Sequence, residues 1–219
     1  MKRTRARAGA IAAIWALPAT VLIAGLAAAE PVPGEAPGAL ALGQPAPLAD
    51  TKMKNVDGKE ISIGGAKGAK GTLVVFTCNH CPWAKAWHSR IVSLGNKSLK
   101  RGVGVIAINP NDPATYPEDA YATMQSNAKK SKMTFPYVVD ATSDVARAFG
   151  ATRTPEAFLF DAKGLLVYHG AIDDNAHQPD QVKIHYLEDA VSALLEGKEI
   201  TLAETKALGC GIKFRTPKT

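Results

Sequence analysis

Residues 72 to 83 read Thr72-Leu73-Val74-Val75-Phe76-Thr77-Cys78-Asn79-His80-Cys81-Pro82-Trp83. The first six are apolar and β-rich without alternation, the pattern of a strand buried on both faces. Beyond the cysteines the period changes: Ala84, Trp87, His88, Ile91, Leu94 and Leu99 recur at helical spacing, and Gly102 ends the pattern. A pair of cysteines therefore falls where a buried strand gives way to a helix. Free amides and the dipole at a helix N-terminus stabilise a thiolate. Thiols so placed titrate at about 3.5–7.5, and the thiolate is the attacking species in disulfide exchange. The spacing makes Cys78 the attacking thiol and Cys81, one turn inward, the resolving one. Pro82 falls in the first helical turn, where its missing N–H costs little.

Asn79 and His80 lie between the two thiols and are placed to tune them. A protonated His80 favours a Cys78 thiolate and moves the pair toward the oxidising end of a range from about −270 to about −120 mV. A structural zinc site needs four protein ligands. No second pair of this spacing and no ordered Cys/His pair occurs, so thiol chemistry is expected without metal or cofactor. Cys210 makes the thiol count odd; it is a candidate third thiol, or a small buried residue in a packed tail.

Outward from the motif, strands and helices alternate. Met53 to Ile63 turns at Asp57-Gly58, a hairpin signal. Val103 to Ile108 is a second buried-strand run, and Asn109 to Pro117 is a proline-rich loop. Glu118 to Lys130 has the look of an inserted helix. Tyr137 to Val139 is a short strand, and Ser143 to Phe149 a helix closed by Gly150. Ala157 to Phe160 and Leu165 to His169 are strands joined by a four-residue turn. A last helix carries Val182, Tyr186, Leu187, Ala190, Val191, Leu194 and Leu195 on one stripe and stops at Gly197. This order predicts an α/β domain: a central mixed β-sheet with helices on both faces and an inserted helix.

The N-terminus reads differently. Lys2, Arg3, Arg5 and Arg7 precede an apolar run from Ile11 to Ala29 that ends in small residues. Residues 1–29 have the form of a secretory signal peptide, cleaved after Ala29, with an uncleaved membrane anchor as the alternative. Residues 30–49 are rich in Pro, Gly and Ala and read as a flexible linker; residues 50–219 form the domain. The signal holds four basic and no acidic residues, so its removal lowers the formal charge from +6 to +2. A near-neutral body gives no reason to expect nucleic-acid binding. Export to an oxidising compartment, periplasmic or secreted, is where disulfides persist.

The Cys78 motif resembles the thioredoxin-like redoxin family, in its peroxiredoxin-like branch near alkyl hydroperoxide reductase and thiol-specific antioxidant proteins. Further matching stretches are Ala107-Ile108-Asn109-Pro110-Asn111-Asp112, Phe135-Pro136-Tyr137, Thr154-Pro155-Glu156-Ala157-Phe158-Leu159-Phe160-Asp161 and Gly209-Cys210-Gly211-Ile212-Lys213. The resemblance implies a thioredoxin fold, carries the redox pair to Cys78 and Cys81, and implies a cis peptide at Pro155 with Thr154 and Pro155 binding substrate. Two features depart from the family. The threonine that peroxiredoxins place three residues before the reacting cysteine is replaced here by Val75 before Cys78 and by Cys78 before Cys81. The buried acid of thioredoxins, six residues before the first cysteine, is Thr72; Glu156 or water is the alternative proton route. Three functions follow as expectations: a thiol–disulfide oxidoreductase acting on a thiol- or disulfide-bearing protein or small molecule with a redox partner protein; a thiol peroxidase; or a Cu(I)-binding chaperone using Cys78, Cys81 and His80.

Overall fold

The computed structural model describes residues 38–216. The segment 1–29 expected to be a signal, and residues 30–37 of the expected linker, lie outside the described residues. Thirteen elements follow one another: β1 (Met53–Asn55), β2 (Glu60–Ile61), β3 (Gly71–Phe76), α1 (Pro82–Lys100), β4 (Val103–Asn109), α2 (Tyr121–Lys130), β5 (Tyr137–Val139), α3 (Asp144–Ala148), β6 (Arg153–Thr154), β7 (Glu156–Asp161), β8 (Leu166–Gly170), α4 (Tyr186–Glu196) and β9 (Cys210–Gly211).

The strands run β2-β1-β5-β4 and β3-β7-β8. β3 lies beside β4, and the Thr77 N–H donates to the Ile108 carbonyl at 2.9 Å. β4 and β5 are parallel; β1–β5, β3–β7 and β7–β8 are antiparallel. The sheet is mixed, as the alternation of elements predicts, and every residue of β3 and β4 is buried. Side chains one apart on a strand face opposite ways, and the two cores divide on that period. Leu73, Val75, Val105, Ala107, Ala157 and Leu159 join Trp87 of α1, Met124 of α2 and Leu187 of α4 on one face. Val74, Phe76, Ile106, Ile108, Phe158 and Phe160 join Val145 and Ala146 of α3 on the other. Phe149 closes that second core, edge-on to Phe76, Phe158 and Phe160 at centroid distances of 5.1 to 6.0 Å. This is the thioredoxin fold, with α2 as the inserted helix between β4 and β5. Among the described residues no helix is long and apolar enough to cross a membrane.

Two boundaries differ from the sequence reading. From residue 38 the expected linker is held to the domain. The Leu40 N–H donates to the Phe149 carbonyl at 3.1 Å, Gly43 and Gln44 exchange hydrogen bonds with Leu166, and Leu40 and Ala46 pack on the second core. Pro and Gly composition signalled the turns but not the edge of β8 that receives them. The last helix begins at Tyr186 rather than Val182. A 3-10 turn at Pro179–Gln181 precedes it, and Val182 has extended backbone.

Candidate active site

β3 ends at Phe76 and α1 begins at Pro82, so the segment 77–81 crosses from the middle of the sheet to the helix mouth. Cys81 is the N-cap of α1 and is fully buried; Cys78 is 5% exposed, and all three cysteines are thiols. The Thr154–Pro155 peptide is cis. Thr154, fully buried, meets both sulfurs: its Oγ1 lies 3.1 Å from Cys78 Sγ, and its carbonyl accepts from Cys81 Sγ at 3.3 Å. Strand β9 lies along β6 with Cys210 opposite Thr154, and Cys210 packs against Cys78, Cys81 and Ala84. The structure thus brings together Cys78, Cys81, Thr154, Pro155 and Cys210, which are up to 132 residues apart in sequence.

The two thiols are neighbours in one buried cluster, and their titrations separate. Cys81 is lowered, first by the hydrogen bond from Cys78, with help from Cys210 and from the amides of Ala84 and Cys210, against burial. Cys78 is raised by the same bond, by burial and by the Asp119 carboxylate, against the Thr154 hydroxyl and the Cys81 amide. The pair therefore gives up a first proton readily and keeps the second. Burial and Asp119 draw that proton toward Cys78. Thr154 draws it the other way, since its hydroxyl donates to a charged Cys78 and its carbonyl receives a protonated Cys81. A sequence reading that leaves Cys78 simply anionic misses this contest, because α1 starts one residue after Cys81 and its free amides converge there.

Nothing in the sequence singles out Asp119. It lies in a 3-10 turn, Pro117–Asp119, ahead of α2, about 40 residues from the motif and with no local pattern of its own. Its Oδ1 accepts from the amides of Asn79 at 2.6 Å and His80 at 3.3 Å; its Oδ2 meets His80 Nδ1 at 2.6 Å and accepts from Asn111 Nδ2 at 2.8 Å. The His80 ring, 9% exposed, stacks on Tyr116 at 3.9 Å. So His80 meets the thiols as half of a His–Asp pair, not as a free solvent-facing cation. Asn79 fastens the loop: Nδ2 donates to the Glu118 carbonyl at 3.0 Å, while Oδ1 accepts from Asn127 at 3.1 Å and Tyr137 at 3.2 Å. Glu156 is tied to other partners. Its Oε2 accepts from the Thr152 and Arg153 amides and its Oε1 pairs with His169 at 2.6 Å, which fixes the approach to Pro155.

One ligand atom each of Cys78, His80 and Asp119 lie within 4.8 Å of one another, a spacing that would suit a metal ion. Both Asp119 oxygens already accept hydrogen bonds from Asn79, His80 and Asn111, so the donor set is occupied structurally and fits a metal poorly. Beside Cys78 a cleft of about 400 Å³ opens between α1 and α2, lined by Asn79, Lys85, His88, Asn127 and Lys130.

A CxxC pair at a helix mouth, faced by a cis-proline on a thioredoxin fold, defines a thioredoxin-fold thiol protein. More narrowly, the chain belongs to the AhpC/TSA family, whose model matches residues 42–169. It is 28% identical over 121 residues to sporulation thiol-disulfide oxidoreductase A of Bacillus subtilis, covering 55% of this chain and 70% of that one. It is 25% identical over 115 residues to thiol-disulfide oxidoreductase ResA of Halalkalibacterium halodurans, covering 52% of this chain and 61% of the relative's length. Among solved structures, an uncharacterized conserved protein of Geobacillus kaustophilus is similar with a TM-score of 0.75 and 34% identity, covering 81% of this chain and 94% of that chain. A hypothetical protein of Sinorhizobium meliloti 1021 has the same TM-score at 31% identity, covering 82% and 98%.

Proposed function

We propose that this protein is an exported thiol–disulfide oxidoreductase whose Cys78 and Cys81 open and close one disulfide. The supporting observation is Thr154, which contacts both sulfurs with two different groups. When the retained proton sits on Cys81, held toward the Thr154 carbonyl, Cys78 carries the charge. Cys78 then attacks a substrate disulfide entering by the cleft, forming a mixed disulfide and releasing one substrate thiolate. That thiolate takes the Cys81 proton, and Cys81 attacks Cys78 to release the second as a thiolate, which takes a proton from water. One substrate disulfide becomes two thiols, and the Cys78–Cys81 pair becomes a disulfide; run backwards, with the protons returned, the same steps oxidise a dithiol. Thr154 and Pro155 hold the substrate segment, and a redox partner protein returns the pair to its starting state.

The relatives' names support the reaction class. The basic, apolar and small-residue order of residues 1–29 supports export to the periplasm or beyond, with membrane attachment only where that segment is kept. The test is reduction of insulin and of glutathione disulfide by the wild-type protein and by Cys78→Ser and Cys81→Ser. The proposal requires turnover by the wild type and a loss of at least about a hundredfold in each variant. A wild type without turnover of either substrate contradicts it.

A second reading, a thiol peroxidase, draws on the family and on the Thr154 hydroxyl, which stands beside Cys78 although Val75 holds the usual threonine position. Hydrogen peroxide turnover lost in Cys78→Ser, with insulin left unreduced by the wild type, favours this reading over the first.

A further inference from the structure

The geometry points to a second disulfide in this protein, Cys81–Cys210, by which the buried Cys81 changes partners between two surfaces; the inference rests on the exchange chemistry proposed above. Three thiols converge on one residue. Cys78 meets the Thr154 hydroxyl, Cys81 meets its carbonyl, and Cys210 is its register partner. Cys210 packs against the Cys78–Cys81–Ala84 cluster, and its proximity helps hold the Cys81 thiol down. Cys81 itself is 0% exposed, so no partner in solution reaches it directly. Cys78 opens onto the cleft between α1 and α2. Cys210 is half-buried and sits on the C-terminal strap instead.

The strap holds its thiol firmly. The Ile212 N–H donates to the Thr152 carbonyl at 3.0 Å and the Lys213 N–H to Asn111 Oδ1 at 2.8 Å, while the Asp112 N–H donates to the Lys213 carbonyl at 2.8 Å. On the other side Gly209 runs so close to Thr154 that a Cβ there would lie 2.3 Å from the Thr154 carbonyl oxygen. A tail that needed only a small residue to fill a gap would not require this fit.

The step balances without an added oxidant. With Cys78–Cys81 closed, the Cys210 thiolate attacks Cys81 Sγ. The Cys81–Cys210 bond forms, the Cys78–Cys81 bond breaks, and Cys78 leaves as a thiolate that takes up the proton Cys210 gave. In the reduced protein burial and the neighbouring Cys81 push the Cys210 thiol up to about 11, against Lys213 and Arg153. Once Cys81 is in a disulfide it no longer carries charge, and only the burial remains against those two cations. A substrate in the cleft then exchanges with Cys78 while a partner on the strap side exchanges with Cys210, so electrons enter and leave on different faces.

Disulfide mapping tests this. The full chain is equilibrated in a glutathione buffer, quenched with acid, alkylated, digested with trypsin without reduction and analysed by mass spectrometry. Cys78 and Cys81 share the peptide 71–85, and Cys210 lies in 207–213, so the second link joins two peptides and the first joins none. Wild type should show both links within about tenfold of each other, since the exchange is between similar dialkyl disulfides. Cys78→Ser should show only the joined peptides, and Cys210→Ser only the internal link. An internal link alone in wild type, with Cys81 and Cys210 both alkylated in a Cys78→Ser protein whose circular dichroism is native, overturns the inference and leaves the exchange reading intact. Neither link in wild type overturns both.

Discussion

Thr154 places its hydroxyl 3.1 Å from the sulfur of Cys78 while its carbonyl faces Cys81 at 3.3 Å. A single buried residue therefore meets one thiol of the pair through its hydroxyl and accepts from the other through its carbonyl. The proton that separates a resting pair from an attacking one lies along this contact.

Replacing Thr154 by valine keeps the shape and removes the donor. Cys78 loses the group that favours its charged form, and its pKa rises further. Iodoacetamide should alkylate Cys78 about ten- to a hundredfold more slowly at pH 7, with the same ratio in insulin reduction, from the loss of one hydrogen bond to a charged group. Serine at this position should restore most of the rate. Equal rates in the valine and wild-type proteins contradict the role given to this hydroxyl.

Asp119→Asn tests the carboxylate behind the motif. Its negative charge raises Cys78, so neutralising it should shift the alkylation profile of Cys78 toward lower pH. The variant also replaces one of two acceptor oxygens by an NH2 group facing His80 and Asn111. Unfolding in urea should show a loss of about 1–3 kcal/mol, the cost of an unmatched buried polar group. A profile moved to higher pH contradicts the charge assignment.

The reduced pair also links stability to pH. The Cys81 thiol is lowered from 9.0 to about 4 in the folded protein. Between those values the unfolded chain binds the proton that the folded chain has released, so this contribution is present in full above pH 9, declines as pH falls, and is gone below about 4. The melting temperature of the reduced wild type minus that of Cys81→Ala should therefore grow from pH 5 to pH 8. A difference that shrinks over this range contradicts the direction.

Much of the fold stands plainly in the sequence because its signals are local. The run from Thr72 to Thr77 has no polar side on which to turn outward except at its ends, and the stripe of α1 starts immediately after Pro82. Gly150 and Gly197 both take the left-handed backbone that ends a helix. The parts that stayed hidden depend on contacts distant in sequence. Asp119 carries no periodicity, and only the inserted segment folding back on Asn79 and His80 brings it to the thiols. The anchoring of residues 38–49 depends on the open edge of β8, which no feature of those residues announces. Trp87 illustrates the reverse case. Its helical spacing fits a core residue more readily than a substrate apron, and the structure places it fully buried, its Nε1 donating to Asp173 at 2.7 Å.

Phe149 gives a stability test of the second core. It is fully buried and packs edge-on against three other phenylalanines. Phe149→Ala should cost about 3–5 kcal/mol in urea unfolding, the range for deleting a large buried aromatic. A loss under 1 kcal/mol would mean that α3 does not seal that face.

Redox titration of the Cys78–Cys81 pair bears most directly on the whole account. The protein is equilibrated across glutathione buffers and the fraction of internal link read from the peptide 71–85. One two-electron transition between about −270 and about −120 mV, abolished in Cys78→Ser and in Cys81→Ser, is the expected result. Two cysteines that stay reduced across that whole span would contradict it.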